Sequence, residues 1–447
     1  AEVKKGERTR KPPLPFTTST LQQEAAKTLN FSTSKTMRIA QQLYEGVDIA
    51  GEGTVGVITY LRTDSTRIAV EADTAARQYI GEVYGQESIG SFGSENVNRN
   101  SQDAHEAIRP TDIRRTPVKV KESLTRDQFR LYQLIWKRFT ASRMANAVYE
   151  TASVKIRGGK YTFTAASSRL RKAGFMDVYT TDEDEKTSGD KAVGSLTKET
   201  PLTLREMKPE QHFTQPSPHY TEASLVRTLE ELGIGRPSTY APTISTILAR
   251  RYITKEQKNL YITELGEVVN DIMCREFPQI VDVHFTANLE TLLDGVADGK
   301  VQWKTIVENF YPDLQEAVNK AEAELEKVKI EDEVSDVPCE NCGRMMVIKY
   351  GPHGKFLACP GFPECRNTKP YFETIGVKCP ECGGEVVLKR TRKGRRYFGC
   401  ENNPECGFMS WTKPVEKKCP VCGGYMTEKG NKYVCADKNC GHSENAE

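Results

Sequence analysis

Twelve of the thirteen cysteines fall after residue 338, at the spacing of metal-binding thiolates. They form three sets: Cys339, Cys342, Cys359 and Cys365; Cys379, Cys382, Cys400 and Cys406; Cys419, Cys422, Cys435 and Cys440. Each set opens on Cys-x-x-Cys-Gly, a turn tight enough to aim two thiolates at one ion. Four soft thiolates in a tetrahedron select Zn²⁺ and leave no open coordination position, so the spacing predicts three structural zinc ribbons. Units this small bury too little apolar surface to fold alone, and zinc contributes about 10–16 kcal/mol in small fingers. Redox Cys-x-x-Cys pairs are the competing reading. His353 and His442 are alternative ligands, but four cysteines already suffice in each set. Cys274 stands apart, in Val269-Asn270-Asp271-Ile272-Met273-Cys274, a context that predicts a buried structural thiol. The whole pattern suits a reducing compartment rather than a disulfide framework.

Between the ligands sit cations and aromatics, notably Arg392, Arg395, Arg396, Tyr397, Phe398 and Trp411. Aromatic rings stack on exposed bases while Arg and Lys follow the phosphates, which grips a single strand without reading its sequence. The same rings also suit the small cores of the ribbons. Residues 338–447 hold 18 Lys and Arg against 12 Asp and Glu. Each Zn(Cys)₄ centre carries two negative charges, so three centres cancel that excess and only local patches, chiefly 392–396, remain basic.

In the first half, Gly56-Val57-Ile58-Thr59-Tyr60-Leu61-Arg62-Thr63-Asp64-Ser65 is the segment richest in chemistry. If it is a strand, Tyr60 and Arg62 share a face. A phenol with a pKa near ~10 is a weak nucleophile at neutral pH, so phosphoryl chemistry calls for a guanidinium beside it. On spacing alone a tyrosine that merely packs is the better reading.

The segment resembles the active-site signature of the type IA DNA topoisomerases. So do Pro15-Phe16-Thr17-Thr18-Ser19-Thr20-Leu21-Gln22-Gln23, Ala40-Gln41-Gln42-Leu43-Tyr44-Glu45, Gln102-Asp103-Ala104-His105-Glu106-Ala107-Ile108-Arg109-Pro110 and Gly233-Ile234-Gly235-Arg236-Pro237-Ser238-Thr239-Tyr240-Ala241, in the family's order. With its zinc tail, the chain resembles the C-terminal two-thirds of the bacterial members. The resemblance implies that Tyr60 attacks a DNA phosphodiester and becomes linked to its 5′ phosphate, that Arg62 contacts that phosphate, and that His105 assists. It sets Gln41 and Glu45, one helical turn apart, near the cleavage pocket, and gives Arg236, Ser238 and Thr239 to a domain that binds the incoming single strand. It also implies Mg²⁺, held by an acidic Toprim domain N-terminal to everything in this sequence. The chain starts without methionine, and the expectation is of a fragment that binds DNA but relaxes supercoils poorly by itself. Asp182-Glu183-Asp184-Glu185 is read as a solvated acidic turn rather than as that magnesium site. The implied partner is single-stranded or negatively supercoiled DNA, with RNA polymerase a further partner for the ribbons; the implied state is a monomer in the cytoplasm, on the nucleoid. The rival reading is a non-catalytic adaptor whose ribbons dock single-stranded DNA or RNA polymerase.

The elements that must position these residues follow from periodicity. Residues 1–14 are basic and Pro-rich and read as a linker. Residues 15–146 form the tyrosine domain, with a helix from about Thr20 (Gln23 completing a capping box) and another over Ser34–Glu45 that buries Met37, Ala40, Leu43 and Tyr44 and ends at Gly46. Residues 85–104 are irregular, and Thr125–Asn146 is helical. Residues 147–216, with alternating runs at 148–156, 161–165 and 202–207, are β-rich; the resemblance implies that they are part of an arch completed by strands from before the tyrosine domain, and so incomplete here. Residues 217–330 form a helical DNA-binding domain, where Ser238 caps the helix after the Gly-Ile-Gly-Arg turn and, with Arg236, offers a phosphate site. Arg250 and Arg251 close that helix within reach of a backbone; a helix pair that only packs is the alternative. The ribbons occupy 338–370, 377–412 and 417–443, in step with cysteines 339, 379 and 419. The fold class is thus multidomain α+β: a mainly helical core, a partial β-arch and three Cys₄ ribbons. A net charge of +2 gives no global pull on phosphate, and no stretch reaches the ~20 apolar residues of a membrane span.

Overall fold

The computed structural model describes residues 2–90, 105–180, 193, 196–198, 200–204, 206–325, 333–351, 354–391, 396–430, 432–437 and 439–445. The chain divides into two compact units, Ala1–Leu325 and Glu326–Glu447.

The first unit begins with a correction. Residues expected to be a linker form strand β1 (Glu2–Arg10), paired antiparallel along its length with β4 (Ala147–Gly158), from Glu2 opposite Lys155 to Arg10 opposite Ala147. The Lys, Glu, Arg and Thr of β1 show no apolar alternation because the strand is mostly exposed; its partner, far along the chain, decides its conformation. β5 (Tyr161–Lys172) completes a three-stranded sheet in the order β1-β4-β5. Thus the chain's own first residues supply an edge strand to the sheet of 147–172. The run 202–207 is not a strand: its described residues lie exposed and unpaired in any sheet. Alternation without a neighbouring edge does not make a strand.

Between β1 and β4 lies the tyrosine region. Helix α1 (Thr18–Glu24) is capped by Thr17, and its capping box pairs Thr17 with Thr20, three residues earlier than the expected Thr20–Gln23 pair. A π-helical turn (Ala25–Leu29) follows, then α2 (Thr33–Glu45), capped by Ser32 and stopped at Gly46. The short strands β2 (Val47–Ile49) and β3 (Gly53–Val55) form a hairpin ahead of the tyrosine segment. Three helices complete the region: α3 (Val70–Tyr84), α4 (Pro117–Val120) and α5 (Arg126–Ser142), the last with a Thr125–Gln128 capping box. Their apolar faces close on one core containing Phe16, Leu21, Leu43, Val57, Ile58, Leu61, Ile80, Ile108, Leu131 and Phe139.

The helical region opens with α6 (Glu222–Glu231) and α7 (Tyr240–Ala249), which share a separate small core of Val226, Tyr240 and Ile244. A hairpin of β6 (Ile253–Glu256) and β7 (Asn259–Ile262) leads to α8 (Glu264–Glu276), α9 (Pro278–Val281), α10 (Val283–Ala297) and α11 (Trp303–Glu324). These last helices bury few side chains, and Cys274 on α8 is exposed rather than buried. An apolar sequence context did not become a packed one there.

In the second unit each ribbon is a four-stranded antiparallel sheet. The first comprises β8 (Glu333–Pro338), β9 (Met345–Gly351), β10 (Gly354–Ala358) and β11 (Thr368–Pro370). The second comprises β12 (Glu373–Lys378), β13 (Glu385–Arg390), β14 (Arg396–Cys400) and β15 (Met409–Ser410). The third comprises β16 (Lys413–Lys418), β17 (Tyr425–Lys429), β18 (Lys432–Cys435) and β19 (Ser443–Asn445). The first two cysteines of each set occupy the turn between the first two strands. There Gly343, Gly383 and Gly423 adopt φ near +70° and close the turn, Gly343 N–H donating to Cys339 O at 2.8 Å. A side chain in that left-handed conformation would be strained, which is why the motif ends in glycine.

Candidate active site and metal centres

Tyr60 does not lie in a strand. It follows an isolated bridge between Ile58 and Pro110 and precedes a bend at Leu61–Arg62. The expectation that Tyr60 and Arg62 share a strand face is therefore corrected. The backbone here is held by side chains and loops instead of a neighbouring strand. Thr18 Oγ1 donates to Leu61 O (2.6 Å) and accepts from Thr63 N (2.9 Å), bending the chain just after the tyrosine. Thr59 N donates to Arg109 O (2.9 Å), Thr59 Oγ1 donates to Ala107 O (2.7 Å), and Val57 N donates to Leu43 O (2.8 Å). Gly56 is required where α2 passes: a Cβ there would lie 2.5 Å from Tyr44 O. Three segments far apart in sequence thus converge on Tyr60.

The tyrosine is 36% exposed within this rigid frame, so its ring is presented to solvent. It meets the edge of Tyr44 at 5.5 Å between centroids and lies 5.0 Å from His105, tilted by 34°. Next to His105, Glu106 accepts from Arg109 Nε (2.9 Å) and from Ala69 N (2.9 Å), tying the histidine's loop to the start of α3. Burial raises the Glu106 pKa, but the Arg109 and Ala69 hydrogen bonds outweigh it and hold the carboxyl below its ordinary value. Arg62 lines a cavity of about 210 Å³ with Met37 of α2 and with Pro237, Ser238, Ala241 and Ser245 at the start of α7. The fourth motif segment therefore meets the tyrosine segment through Arg62. An exposed phenol, an imidazole beside it and a guanidinium two residues on can present an oxygen to a phosphodiester and bind its charge.

Tyr44 was read only as part of a packing face; its half-exposed ring beside Tyr60 is what the helical period did not reveal. Thr18 and Thr59 were missed as well. Of the four consecutive hydroxyl residues Thr17–Thr20, Thr17 caps α1, and only the fold shows that Thr18 clamps the tyrosine segment instead.

The remaining expected contacts divide. Gln41 Nε2 donates to Glu45 Oε1 at 2.5 Å, on the same end of α2 as Tyr44. Ser238 is exposed and does not cap α7: Thr239 is the N-cap residue, without a side-chain capping bond, because its Oγ1 instead closes the turn on Arg236 N (2.9 Å) and Arg236 O (3.1 Å). Arg236 is drawn to α10, with Nη2 at 2.6 Å from Asp294 and Nη1 at 3.7 Å from Glu290. Those carboxylates occupy the charge that was expected to meet a phosphate. Arg250 is exposed at the end of α7, and Arg251, at φ +59°, turns the chain into the hairpin while its carbonyl accepts from Thr263 Oγ1 at 2.6 Å.

In each ribbon the four sulfurs lie within 4.8 Å of one another. Thiols this close titrate in opposite directions: Asn367 above all holds the Cys339 pKa down to about 6, while Cys359, despite the Gly361 N–H bonded to it, is pushed up to about 12 by desolvation and its neighbouring thiols. A divalent cation removes that conflict, and four thiolates fit Zn²⁺. Among the described residues the groups suited to a metal are these three thiolate clusters, which do not suit a hard, oxygen-seeking Mg²⁺.

On β14, alternation sorts the aromatics. Tyr397 pairs with the half-exposed Trp411 at 6.0 Å, whereas Phe398 packs inward against the second ribbon's core and is corrected from a base-stacking to a packing residue. Arg396 sits on β14 opposite Arg390. Arg392 and Arg395, like the acidic run 182–185 that was expected to be a turn, lie outside the described residues.

Residues 1–308 match a family model described as DNA topoisomerase. Residues 336–373 and 376–415 match one described as topoisomerase DNA binding C4 zinc finger, which spans the first two ribbons. Among solved structures, the chain is similar to full-length topoisomerase I from Thermotoga maritima, at 39% identity and a TM-score of 0.63, over 83% of this chain. It spans 59% of the length of that relative.

Proposed function

Because the chain belongs to the bacterial type IA DNA topoisomerase family, we propose that it contributes the cleaving tyrosine to ATP-independent relaxation of negatively supercoiled DNA. The observation that carries the proposal is Tyr60 itself: an exposed phenol, rigidly framed by the family's motif segments, with His105 against its ring.

In this reading the Tyr60 hydroxyl gives up its proton as its oxygen attacks a backbone phosphorus. The bond from phosphorus to the 3′-side oxygen breaks, the departing oxygen takes up a proton as a 3′-hydroxyl, and the 5′ phosphate stays on the tyrosine. Arg62 and His105 bind the phosphate oxygens. The other strand passes, and the 3′-hydroxyl reverses the reaction. The phosphotyrosine conserves the energy of the phosphodiester, so no nucleotide hydrolysis is needed. Mg²⁺ would be held by the acidic Toprim domain that the family resemblance implies, where it would supply charge for the phosphate. The ribbons hold single-stranded DNA, with Zn²⁺ in a structural role. The working state is a monomer in the cytoplasm, and RNA polymerase is a further ligand of the tail.

The test is covalent capture. In a polypeptide extended by a Toprim domain and given Mg²⁺, an end-labelled single-stranded oligonucleotide should become attached to the protein, and Tyr60→Phe should abolish the adduct. An adduct that survives Tyr60→Phe, or maps to another side chain, overturns the proposal. A non-catalytic adaptor would form none in either protein.

A further inference from the structure

We propose that Glu222 is a clasp that holds the tyrosine region closed against the helical region, and that its release is part of opening the enzyme for strand passage. The inference rests on the strand-passage reading above. A broken strand whose 5′ end rides on Tyr60 lets another strand through only if the tyrosine region moves away from its neighbours.

The two regions have separate hydrophobic cores, one around Phe16, Leu43 and Leu61 and one around Val226, Tyr240 and Ile244. Between them α6 lies along α1 and α7 along α2, and two carboxylates of α6 hydrogen-bond across that seam. Glu222, the first residue of α6, has a side chain only 5% exposed. One of its oxygens accepts from Thr33 N (2.7 Å) and Thr33 Oγ1 (3.0 Å); the other meets Lys255 Nζ of β6 at 2.5 Å. Thr33 is the first residue of α2, so the carboxylate caps that helix from outside and complements its positive end. The other end of α2 carries Tyr44 to Tyr60. About two turns further along α6, Glu230 accepts from Ser19 Oγ and, at 3.4 Å, from Gln23 Nε2 on α1. Within that seam, two carboxylates along one helix hydrogen-bond to the tyrosine region.

Such a fastening is reversible in a way a fused core is not. On separation, water replaces each hydrogen bond, whereas exposed apolar surface would be driven back together. A cavity of about 700 Å³ already enters the seam beside the clasp, lined by Gln23, Lys27, Phe31, Arg227 and Lys255. Glu222 touches neither Tyr60 nor its ring neighbours in the contacts described above; it is a positioning residue, acting through α2.

The experiment measures separation directly in the full chain with zinc bound. Cys274 is exposed on α8, and Val118, 83% exposed on α4, accepts a second label as Val118→Cys. Spin labels at the two sites report the distance between the regions by pulsed electron resonance. The unaltered chain is expected to show one dominant distance. Glu222→Ala should raise the population at longer distances at least threefold, with helix content and zinc stoichiometry unchanged, and Glu222→Gln should fall between the two. If Glu222→Ala does not fold, the pair Ser19→Ala and Glu230→Gln, at the second fastening, decides in the same way. An unaltered distance distribution in every folded variant overturns the clasp. The readout needs no DNA cleavage, so failure of the clasp is distinct from failure of the Tyr60 adduct test.

Discussion

Forty-five residues apart in the chain, Tyr60 and His105 lie ring to ring at 5.0 Å, brought together because Thr59 bonds to the backbone on both sides of Ile108. The imidazole is thereby fixed beside the phenol by its own loop, whose backbone is pinned at Ala107 and Arg109. In the proposed reaction that places the imidazole where a phosphate oxygen on Tyr60 would sit.

Replacing His105 by Ala should therefore slow adduct formation by roughly 10²-fold, the lower range for a positioned acid–base group, while oligonucleotide affinity changes less than about threefold. Single-turnover cleavage with end-labelled oligonucleotide measures the first, and fluorescence anisotropy the second. Equal loss in both would make the histidine a binding residue only.

Glu106 supplies a pH dependence. Its pKa is lowered in the folded state, so its contribution to stability is present above the unfolded carboxylate value of about 4.3 and is lost as pH falls through the lower folded value. Glu106→Gln should destabilise the tyrosine region by about 1–2 kcal/mol at pH 7, since bonds to a charged acceptor are lost or weakened. The difference from the unaltered chain should shrink below pH 4. Urea unfolding at pH 7 and at pH 3.5 gives both values, and a constant difference would show that the charge contributes nothing.

How far these features were legible follows the range of the interaction behind each. The cysteine sets fixed the ribbons because metal geometry is local and strict. Helix α2 was legible from its period and Gly46, and α5 from Thr125 onward. β1 was not, because nothing in Lys4-Lys5-Gly6-Glu7 carries a signal until β4 lies beside it. Tyr60 and Arg62 were singled out as a pair but given the wrong backbone, since the bend depends on Thr18, some forty residues earlier. The partners of Arg236 and Glu222 were invisible for the same reason: Asp294 and Thr33 are distant in sequence, and a charged residue on a helix looks solvated until its partner is placed.

Zinc removal should act unequally along the tail. Tyr425 of the third ribbon packs edge-on against Phe408 of the second at 5.3 Å and joins its core, so these two ribbons support each other. Cys382→Ser, which removes an exposed ligand of the second site, should unfold that ribbon and also lower the stability of the third, with the first unaffected. Zinc binding in small fingers is worth about 10–16 kcal/mol, far more than such a ribbon holds without it. Zinc analysis with amide exchange across residues 338–445 measures this. Unchanged exchange in the third ribbon would make the Tyr425 contact incidental.

The second ribbon also separates a binding aromatic from a packing one. Tyr397 and Phe398 are neighbours on β14 and so point to opposite faces: Tyr397 stands with Trp411, which is 47% exposed, and Phe398 lies against Val386 and the cysteines. A base can stack on the first face without disturbing the fold. Trp411→Ala should therefore weaken binding of a single-stranded oligonucleotide by about 1–3 kcal/mol, at full zinc occupancy and unchanged thermal stability. Phe398→Ala should instead destabilise the ribbon by about 2–3 kcal/mol, less than a fully buried phenylalanine costs, and affect DNA only through unfolding. Titrations of both variants at one fixed salt concentration, with parallel melting curves, distinguish the roles. Should Trp411→Ala melt early and bind normally, the ring belongs to the ribbon's core and the DNA lies on another face.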